Sequence, residues 1–208
     1  MNDVASKNEL KQSAIINDKN KQQHVRIIYS NSFLSFTKIG KTYNIIIKPI
    51  SNYPIINVGP DYLTAIMFIS LIIALCLVVY YIVVCKAYWN FPRIKFWWKI
   101  IFSLMLSMFA LTCLINPGIA YNDRKSNQEG EDKNYCDECE IYKENKMIHC
   151  YECNVCVKRM DHHCVLSSKC IGKYNIIPFY SFIVCAFALY GLSIVLVFYF
   201  LLGFTRNK

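Results

Sequence analysis

Residues 136–170 read CDECEIYKENKMIHCYECNVCVKRMDHHCVLSSKC, and this stretch decides how the chain is organised. It holds seven of the eleven cysteines and three of the four histidines of a 208-residue protein. Two intervening residues between cysteines, a spacing found three times here, let both thiolates reach one tetrahedral zinc ion. In a reducing compartment this spacing binds metal more often than it forms disulfides. The pattern therefore predicts a zinc-binding module.

Apolar stretches long enough to cross a membrane lie on both sides of this module. The chain is 55% hydrophobic and only 18% charged, whereas charged residues make up about 25% of a soluble domain. A membrane-crossing helix needs about 20 apolar residues, and residues 63–84, 96–116 and 178–204 meet this length. We expect the third helix to follow a break at Pro178. The predicted fold is an α-helical polytopic membrane protein with three spans and a zinc domain at residues 117–177.

The residues before the first span form two segments. Residues 1–24 are polar and rich in Asn, Lys and Gln, so we expect a disordered tail. Residues 25–62 mix short β-prone runs with three prolines and two glycines. This composition fits either a short β-rich segment or a membrane-surface segment, and both interpretations stay open.

The distribution of basic residues predicts the orientation in the membrane. Of the 23 Lys and Arg, 17 lie before the first span or between the second and third. Cytosolic segments carry such an excess. We therefore expect a cytosolic N-terminus, a cytosolic Cys/His module and a lumenal segment after the third span. Anionic headgroups of the lipid bilayer account for the net charge of +9, and nucleic acid is not needed as a partner.

The count of candidate ligands exceeds the needs of two closed metal sites. Seven cysteines and three histidines offer ten ligands, while two tetrahedral sites take eight. If Cys164 and His162 are the pair left over, they lie beside Asp161. A nucleophile, a base and a residue that orients the base are the components of covalent catalysis. Alternatively, Asp161 and His162 are solvated residues and Cys164 is an idle thiol, and spacing alone does not decide.

The order of the ligands extends the pattern. It is Cys-x2-Cys-x9-His-Cys-x2-Cys-x2-Cys-x4-Asp-His-His-Cys-x5-Cys, which continues with Ile171-Gly172-x2-Asn175-x3-Phe179. This order resembles the cysteine-rich domain of the DHHC protein S-acyltransferases, or palmitoyltransferases. Asn116-Pro117-Gly118, after the second span, is similar to the Asp-Pro-Gly element of that family. Two spans followed by a cysteine-rich domain and a further span also match the layout of the family.

The resemblance implies a role for each candidate residue. It assigns two structural zinc ions, one to each of two sets of four ligands. The first set is Cys136, Cys139, His149 and Cys156, and the second is Cys150, Cys153, His163 and Cys170. It also implies that Cys164 is the acylated nucleophile, His162 its base and Asp161 the residue that orients the base.

The function implied is transfer of a long-chain acyl group from acyl-CoA, such as palmitoyl-CoA, to client proteins. A Cys164 acyl-enzyme would form first, and a membrane-proximal cysteine of a client would then take the acyl group in a ping-pong sequence. The family resemblance also implies a Golgi or endoplasmic reticulum membrane. Four basic residues near the motif could contact the CoA phosphates or lipid headgroups: Lys158, Arg159, Lys169 and Lys173.

The intact Asp161, His162 and Cys164 favour the enzyme, but departures from the family pattern leave an alternative function open. Val165-Leu166 replace the usual Pro-Trp after the motif cysteine, and Lys169 replaces the usual Asn. The sequence also stops at Lys208, without the fourth span and the Thr-Thr-x-Glu element of the family. A divergent or C-terminally truncated member of this kind could be a catalytically weak or silent membrane-anchored zinc scaffold or accessory subunit.

Overall fold

The computed structural model of the protein describes residues 25–30, 33–47, 54–82, 92–120 and 135–206. The predicted disordered tail at residues 1–24 lies outside the described residues. Strands and helices follow one another in the order β1 (Val25–Ser30), β2 (Leu34–Ile39), β3 (Thr42–Ile47), β4 (Pro54–Val58), α1 (Tyr62–Val79), α2 (Pro92–Leu114), β5 (Tyr135–Cys136), β6 (Ile141–Tyr142), β7 (Met147–Cys150), β8 (Val155–Lys158), β9 (His162–Cys164), β10 (Lys169–Ile171) and α3 (Ile176–Arg206).

Strands β1 to β4 form one antiparallel sheet in sequential order, so residues 25–58 include β structure. A two-residue turn joins β2 to β3, and its Gly40 has a φ of 57°, a conformation that favours glycine. The buried face of the sheet carries polar side chains, among them Thr37, Asn44 and Asn57. The amide of Asn57 donates to Oδ1 of Asn44 over 2.9 Å. The polar face is thus partly satisfied by its own cross-strand pairs.

Within the described ranges, three helices are long and apolar enough to cross a membrane: Tyr62–Ile82, Pro92–Leu114 and Ile176–Leu202. The second begins at Pro92 rather than at residue 96, because a proline is well suited to the first helical position. The expected break at Pro178 is absent, since α3 already begins at Ile176. Pro178 lies in the first turn, where the backbone N–H groups have no intrahelical acceptor in any case.

The apolar core of the helical part lies between α2 and α3. Trp98, Met105 and Phe109 of α2 are buried together with Phe182 and Leu189 of α3. The rings of Phe109 and Phe182 have their centroids 5.0 Å apart. Many other apolar side chains of the three helices are exposed, as expected of surfaces that face lipid.

The Cys/His module lies where α1 starts, α2 ends and α3 starts. The N–H of Asp61, just before α1, donates to Oγ of Ser168 over 2.7 Å. Asn175, just before α3, donates to the carbonyl of Thr112 near the end of α2 over 3.3 Å. These contacts place the module and the N-terminal sheet on one side of the three helices. Helices α1 and α3 therefore run away from the module, and α2 runs towards it.

Residues 116–120 connect α2 to the module. Oδ1 of Asn116 accepts the N–H groups of Gly118 and Ile119, both over 2.9 Å, while its Nδ2 donates to the carbonyl of Pro54 over 2.6 Å. An aspartate could accept these two bonds but could not donate the third, which explains the amide at this position. Ile119 then pairs with Val157 of β8. The turn thus joins α2, β4 and the module.

Candidate active site and metal centres

Two groups of four ligands come together in the module. One consists of Cys136, Cys139, His149 and Cys156, and the other of Cys150, Cys153, His163 and Cys170. Within each group the ligand atoms all lie within 4.8 Å of one another. These are the two groupings that the family resemblance implies.

The distances within each group fit a tetrahedral metal site. Nδ1 of His149 lies 3.5, 3.2 and 3.8 Å from the sulfurs of Cys136, Cys139 and Cys156. A zinc tetrahedron with bonds of about 2.0–2.3 Å separates its ligand atoms by about 3.3–3.8 Å. Thiolate and imidazole are also the donors that zinc prefers over harder cations. The first cluster therefore fits zinc in distance and in chemistry.

The second cluster has the same geometry. Nδ1 of His163 lies 3.5, 3.4 and 3.9 Å from the sulfurs of Cys150, Cys153 and Cys170. The sulfurs of Cys153 and Cys170 are 3.6 Å apart. With four protein ligands, a zinc ion at either cluster would have no open position for substrate. Both sites are therefore structural in character.

The thiols of each cluster differ in acidity because they share protons. Hydrogen bonding from Cys156, with a contribution from His149, lowers the pKa of Cys139 to about 5. Hydrogen bonding from Cys153 and Cys170 likewise lowers the pKa of Cys150. The hydrogen bond to Cys150 raises the pKa of Cys153 to about 12. Because zinc binds thiolates, a dication at either cluster would displace the thiol protons.

Strands β7 and β8 interleave the two clusters. His149 pairs with Cys156 across the hairpin, and both belong to the first cluster. The next residue, Cys150, belongs to the second. Because successive residues of a strand point to opposite faces, one short hairpin supplies ligands to both sites. The two clusters are thereby joined into one unit.

Strand β9 uses the same alternation to separate metal binding from the reactive group. His163 and its cross-strand partner Cys170 belong to the second cluster. His162 and Cys164 therefore share the opposite face of β9, together with their partners on β10, Ile171 and Lys169. The metal ligand between them, His163, would fix β9 from one face. The other face of β9 carries the candidate nucleophile Cys164 and the candidate base His162.

His162 is oriented by two neighbours. Its Nδ1 lies 2.9 Å from Oδ2 of Asp161, and the two side chains are 40% and 41% exposed. The ring of Phe179, from the first turns of α3, meets the imidazole edge-on with centroids 5.2 Å apart. Donation from Nδ1–H to Asp161 leaves Nε2 as the atom that can accept a proton. Spacing in the sequence gave no indication of the contact with Phe179.

Cys164 lies at the end of β9 and is 8% exposed. Its carbonyl accepts from Oγ of Ser167 over 3.4 Å, and the turn that follows is closed by a bond from the N–H of Ser168 to the carbonyl of Val165. Among the described residues, no hydrogen bond joins His162 to Cys164. Catalytic hydrogen bonds often form only when substrate binds, so a base and its nucleophile need not be hydrogen-bonded in the free protein.

An apolar cavity of about 450 Å³ opens between α1 and α2 beside this turn. Its wall is apolar along Ile66, Ile69 and Phe109, and its end near the module includes Cys113 and Ser167. Ser167 also contacts the carbonyl of Cys164. The cavity therefore leads from the apolar part of the helices to the segment that carries the candidate nucleophile.

Lys169 does not occupy the position expected for a phosphate contact. Its side chain is fully buried, and Nζ donates to three backbone carbonyls. Burial lowers the pKa of Lys169 to about 7, while hydrogen bonding to the three carbonyls favours the protonated form. The expectation that Lys169 contacts CoA phosphates is thus wrong. Of the other basic candidates, Lys158 lies 2.6 Å from Glu144 in an exposed ion pair, while Lys173 is exposed.

The module is similar to known proteins. A family model described as DHHC palmitoyltransferase matches residues 129–208. The resemblance deduced from the sequence is confirmed over this range. It covers the part of the DHHC domain that carries both clusters, the Asp-His-His-Cys motif and α3.

The curated relatives are palmitoyltransferases that match over short segments. The chain is 43% identical to palmitoyltransferase ZDHHC18-B of Danio rerio over 28% of the chain and 15% of that protein. It is 49% identical to palmitoyltransferase PFA3 of Debaryomyces hansenii over 20% of the chain and 10% of that protein. It is 33% identical to palmitoyltransferase ZDHHC4 of Mus musculus over 36% of the chain and 25% of that protein. The matched DHHC segments thus span a quarter or less of these relatives.

Proposed function

We propose that the chain is a protein S-acyltransferase that uses Cys164 as its nucleophile. The observation that carries this proposal is the arrangement of β9. His163 belongs to a metal cluster on one face, while His162, paired with Asp161, shares the other face with Cys164. The match to the DHHC palmitoyltransferase family supports the same chemistry.

In the first step, Nε2 of His162 takes the proton of the Cys164 thiol. A free cysteine has a pKa near 8.5 and is only a few per cent thiolate at neutral pH, so a base is needed. Asp161 holds the imidazole in the tautomer that leaves Nε2 free and stabilises the imidazolium that forms. The Cys164 thiolate then attacks the carbonyl carbon of the donor thioester.

The donor carbon–sulfur bond breaks as the Cys164 thioester forms, and the CoA thiolate takes the proton from His162. A cysteine thiol of a client protein then attacks the acyl-enzyme, with His162 again accepting the proton. This restores the Cys164 thiol and leaves the client S-acylated. One thioester replaces another at each step, so the two-step sequence needs no further energy source.

Zinc in the two clusters would supply rigidity to the module rather than chemistry. Each cluster offers four ligands and so a closed coordination shell. Cys170 and His163 pair across β9 and β10 and would be fixed by the same ion. The three proposed reacting residues then depend on the second cluster for the position of their strand.

The cavity between α1 and α2 supports a long-chain acyl donor. It is apolar and ends at Ser167 beside the Cys164 carbonyl. An acyl tail in this cavity would lie among the helices while its thioester stays at the module. Burial of each methylene group contributes about 0.8 kcal/mol, which favours long chains over short ones.

We propose a cytosolic location for the N-terminal sheet and the module, in a Golgi or endoplasmic reticulum membrane. The excess of basic residues in these segments supports it. A glycosylation acceptor inserted at residues 122–134 should stay unmodified, while one appended after Lys208 should be modified. Modification of the 122–134 acceptor would place the thiols in an oxidising compartment and would contradict the proposal.

The reaction is tested with purified full-length protein and an alkyne analogue of palmitoyl-CoA. We expect a label on the protein that hydroxylamine removes, as a thioester requires. Cys164→Ala should abolish this label, and Cys185→Ala, in α3 outside the module, should retain it. Adding a client peptide with one cysteine should discharge a preformed label without further donor.

The alternative, a silent zinc scaffold, predicts a different outcome of the same experiment. Wild-type protein with full metal content would then take up no label at any donor concentration. Label that remains in Cys164→Ala would instead place the acyl group on another residue. Either result would contradict the proposed role of Cys164.

A further inference from the structure

Lys169 is a charged side chain buried at a junction of three elements. Its exposure is 0%, and Nζ donates over 2.7 Å to the carbonyl of Asn57 in β4. It also donates over 3.1 and 2.8 Å to the carbonyls of Cys113 and Ile115, at the end of α2. An ammonium group has three protons to donate, and here each has an acceptor.

Cys113 is one of the last four residues of α2, and Ile115 follows directly after its last residue, Leu114. The last four carbonyls of a helix have no intrahelical donor, and they carry the negative end of the helix dipole. A cation that donates to such carbonyls is favoured both because it supplies the missing hydrogen bonds and because its charge is opposite to that end of the dipole. Asn175 adds a bond to the carbonyl of Thr112 over 3.3 Å. The end of α2 is therefore capped from outside by residues of the module.

The position of Lys169 connects this cap to the candidate nucleophile. Lys169 is the first residue of β10 and pairs directly with Cys164 of β9. Its backbone therefore lies in register with Cys164, while its side chain reaches the end of the second span. The next residue, Cys170, is a ligand of the second cluster.

We propose that Lys169 is a positioning residue, which fixes the Cys164 strand at a set depth relative to the end of α2. This proposal rests on the proposed acyltransferase function, since it concerns where the reacting thiol lies. Without the three hydrogen bonds, the β9–β10 hairpin keeps its metal cluster but is held to the end of α2 less firmly, because the bond from Asn175 to Thr112 then remains without those of Lys169. Cys164 then moves relative to the cavity whose end includes Cys113 and Ser167.

The test compares Lys169→Met with Lys143→Met in purified full-length protein. Both remove one positive charge from the same module, but Lys143 is half-buried and, among the described residues, makes no hydrogen bond to α2. Zinc content and the rate of acyl-enzyme formation are measured with myristoyl-, palmitoyl- and stearoyl-CoA. Lys169→Asn, which installs the residue usual in the DHHC family, is measured in parallel.

We expect Lys169→Met to retain the zinc content of the wild type and to lose acyl-enzyme formation by about 10- to 100-fold, the cost of a small misplacement of a reacting group. The loss should be greater with myristoyl-CoA than with stearoyl-CoA, because a thiol farther from the cavity needs a longer chain to fill it. Lys143→Met should behave as the wild type with all three donors.

Other outcomes would contradict either the positioning role of Lys169 or the proposed function. Lys169 variants with full zinc content and unchanged rates would overturn the positioning role. Loss of zinc in both Lys169→Met and Lys169→Asn, or an equal loss of rate with all three donors, would show a structural role instead and would also overturn it. A wild-type protein that forms no acyl-enzyme would contradict the proposed function itself, and this result is read before any variant is compared.

Discussion

The two candidate metal clusters have the same types of ligand, three cysteines and one histidine each, but different surroundings. In the first, Cys139 and His149 are only partly buried, and the apolar neighbours are few: Met147, Ala120 and Ile141. In the second, only His163 is partly buried, and the cluster packs against buried apolar side chains such as Ile119 and Val157. The turn of the N-terminal sheet contacts this second cluster, since the N–H of Lys41 donates to the carbonyl of Cys153 over 2.8 Å.

The difference indicates separate roles for the two clusters. The first cluster takes ligands from β5 and from the β7–β8 hairpin and would hold these parts of the module to each other. The second includes His163, which lies between His162 and Cys164, and Cys170, which follows Lys169. Loss of a ligand from the second cluster should therefore displace the proposed reacting residues directly. Loss of a ligand from the first cluster should displace them only through the β7–β8 hairpin.

The largest effect is expected from a ligand of the second cluster. Cys153→Ala should release metal, unfold the module and abolish acyl-enzyme formation, because structural zinc contributes about 10–16 kcal/mol to folding in small zinc domains. Metal analysis should find about two zinc ions per chain in the wild type. Cys185→Ala is the control and should change neither. If Cys153→Ala formed acyl-enzyme at the wild-type rate, the second cluster would not be the one that positions the reacting residues.

A ligand of the first cluster should have a smaller effect. Cys139→Ala should lower the metal content from about two zinc ions per chain to about one. Acyl-enzyme should still form, at a lower rate, because the ligands around His163 are intact. Equal loss of both metals in Cys139→Ala and Cys153→Ala would show that the two clusters fold as one cooperative unit.

The third change leaves both clusters intact and affects only the reacting face. Asp161→Asn should lower the rate of acyl-enzyme formation by about 10- to 100-fold, at or below the low end of what a positioned base contributes, because the pair is partly exposed. The amide can no longer stabilise the imidazolium of His162. Zinc content should stay at the wild-type value. An unchanged rate at saturating donor would leave Asp161 without a role in the reaction.

The smallest effect is expected where the sheet meets the second cluster. A Cβ at Gly40 would lie 2.2 Å from the carbonyl oxygen of Asn154, and the φ of 57° disfavours any other residue. Gly40→Ala should lower the Tm by about 2–12 °C, as expected of a strain of about 1–3 kcal/mol. Gly191→Ala, where no atom lies within 4 Å of the added methyl group, should leave the Tm unchanged or raise it. Equal melting temperatures would show that the sheet does not support the cluster.

Features set by short sequence distances could be predicted from the sequence. The three apolar helices and the zinc-type ligands follow from composition and spacing. Which ligands share an ion did not follow from spacing, because ten candidates lie within 35 residues; the family resemblance supplied the grouping. The common face of His162 and Cys164 follows from strand β9, and three residues are too few to show a strand by periodicity.

Features set by distant contacts could not be predicted. A basic residue beside an active motif indicates a phosphate contact, yet Lys169 is buried because carbonyls 54 and 112 positions away accept its protons. The sheet at residues 25–58 also depends on such contacts, since Asn116 donates to the carbonyl of Pro54. Neither partner can be identified from the local sequence around the other.

The close approach of Gly59 to the turn after Cys164 links the site to the lipid. A Cβ at Gly59 would lie 1.6 Å from the carbonyl oxygen of Ser168, so the backbones touch where α1 begins. Helices tilt to match the thickness of the bilayer, and a change in the tilt of α1 would press on or withdraw from this turn. We therefore expect the acylation rate to differ between vesicles of short-chain and long-chain phosphatidylcholine; equal rates would contradict this coupling. Membrane thickness would then tune the reactivity of the Cys164 thiol.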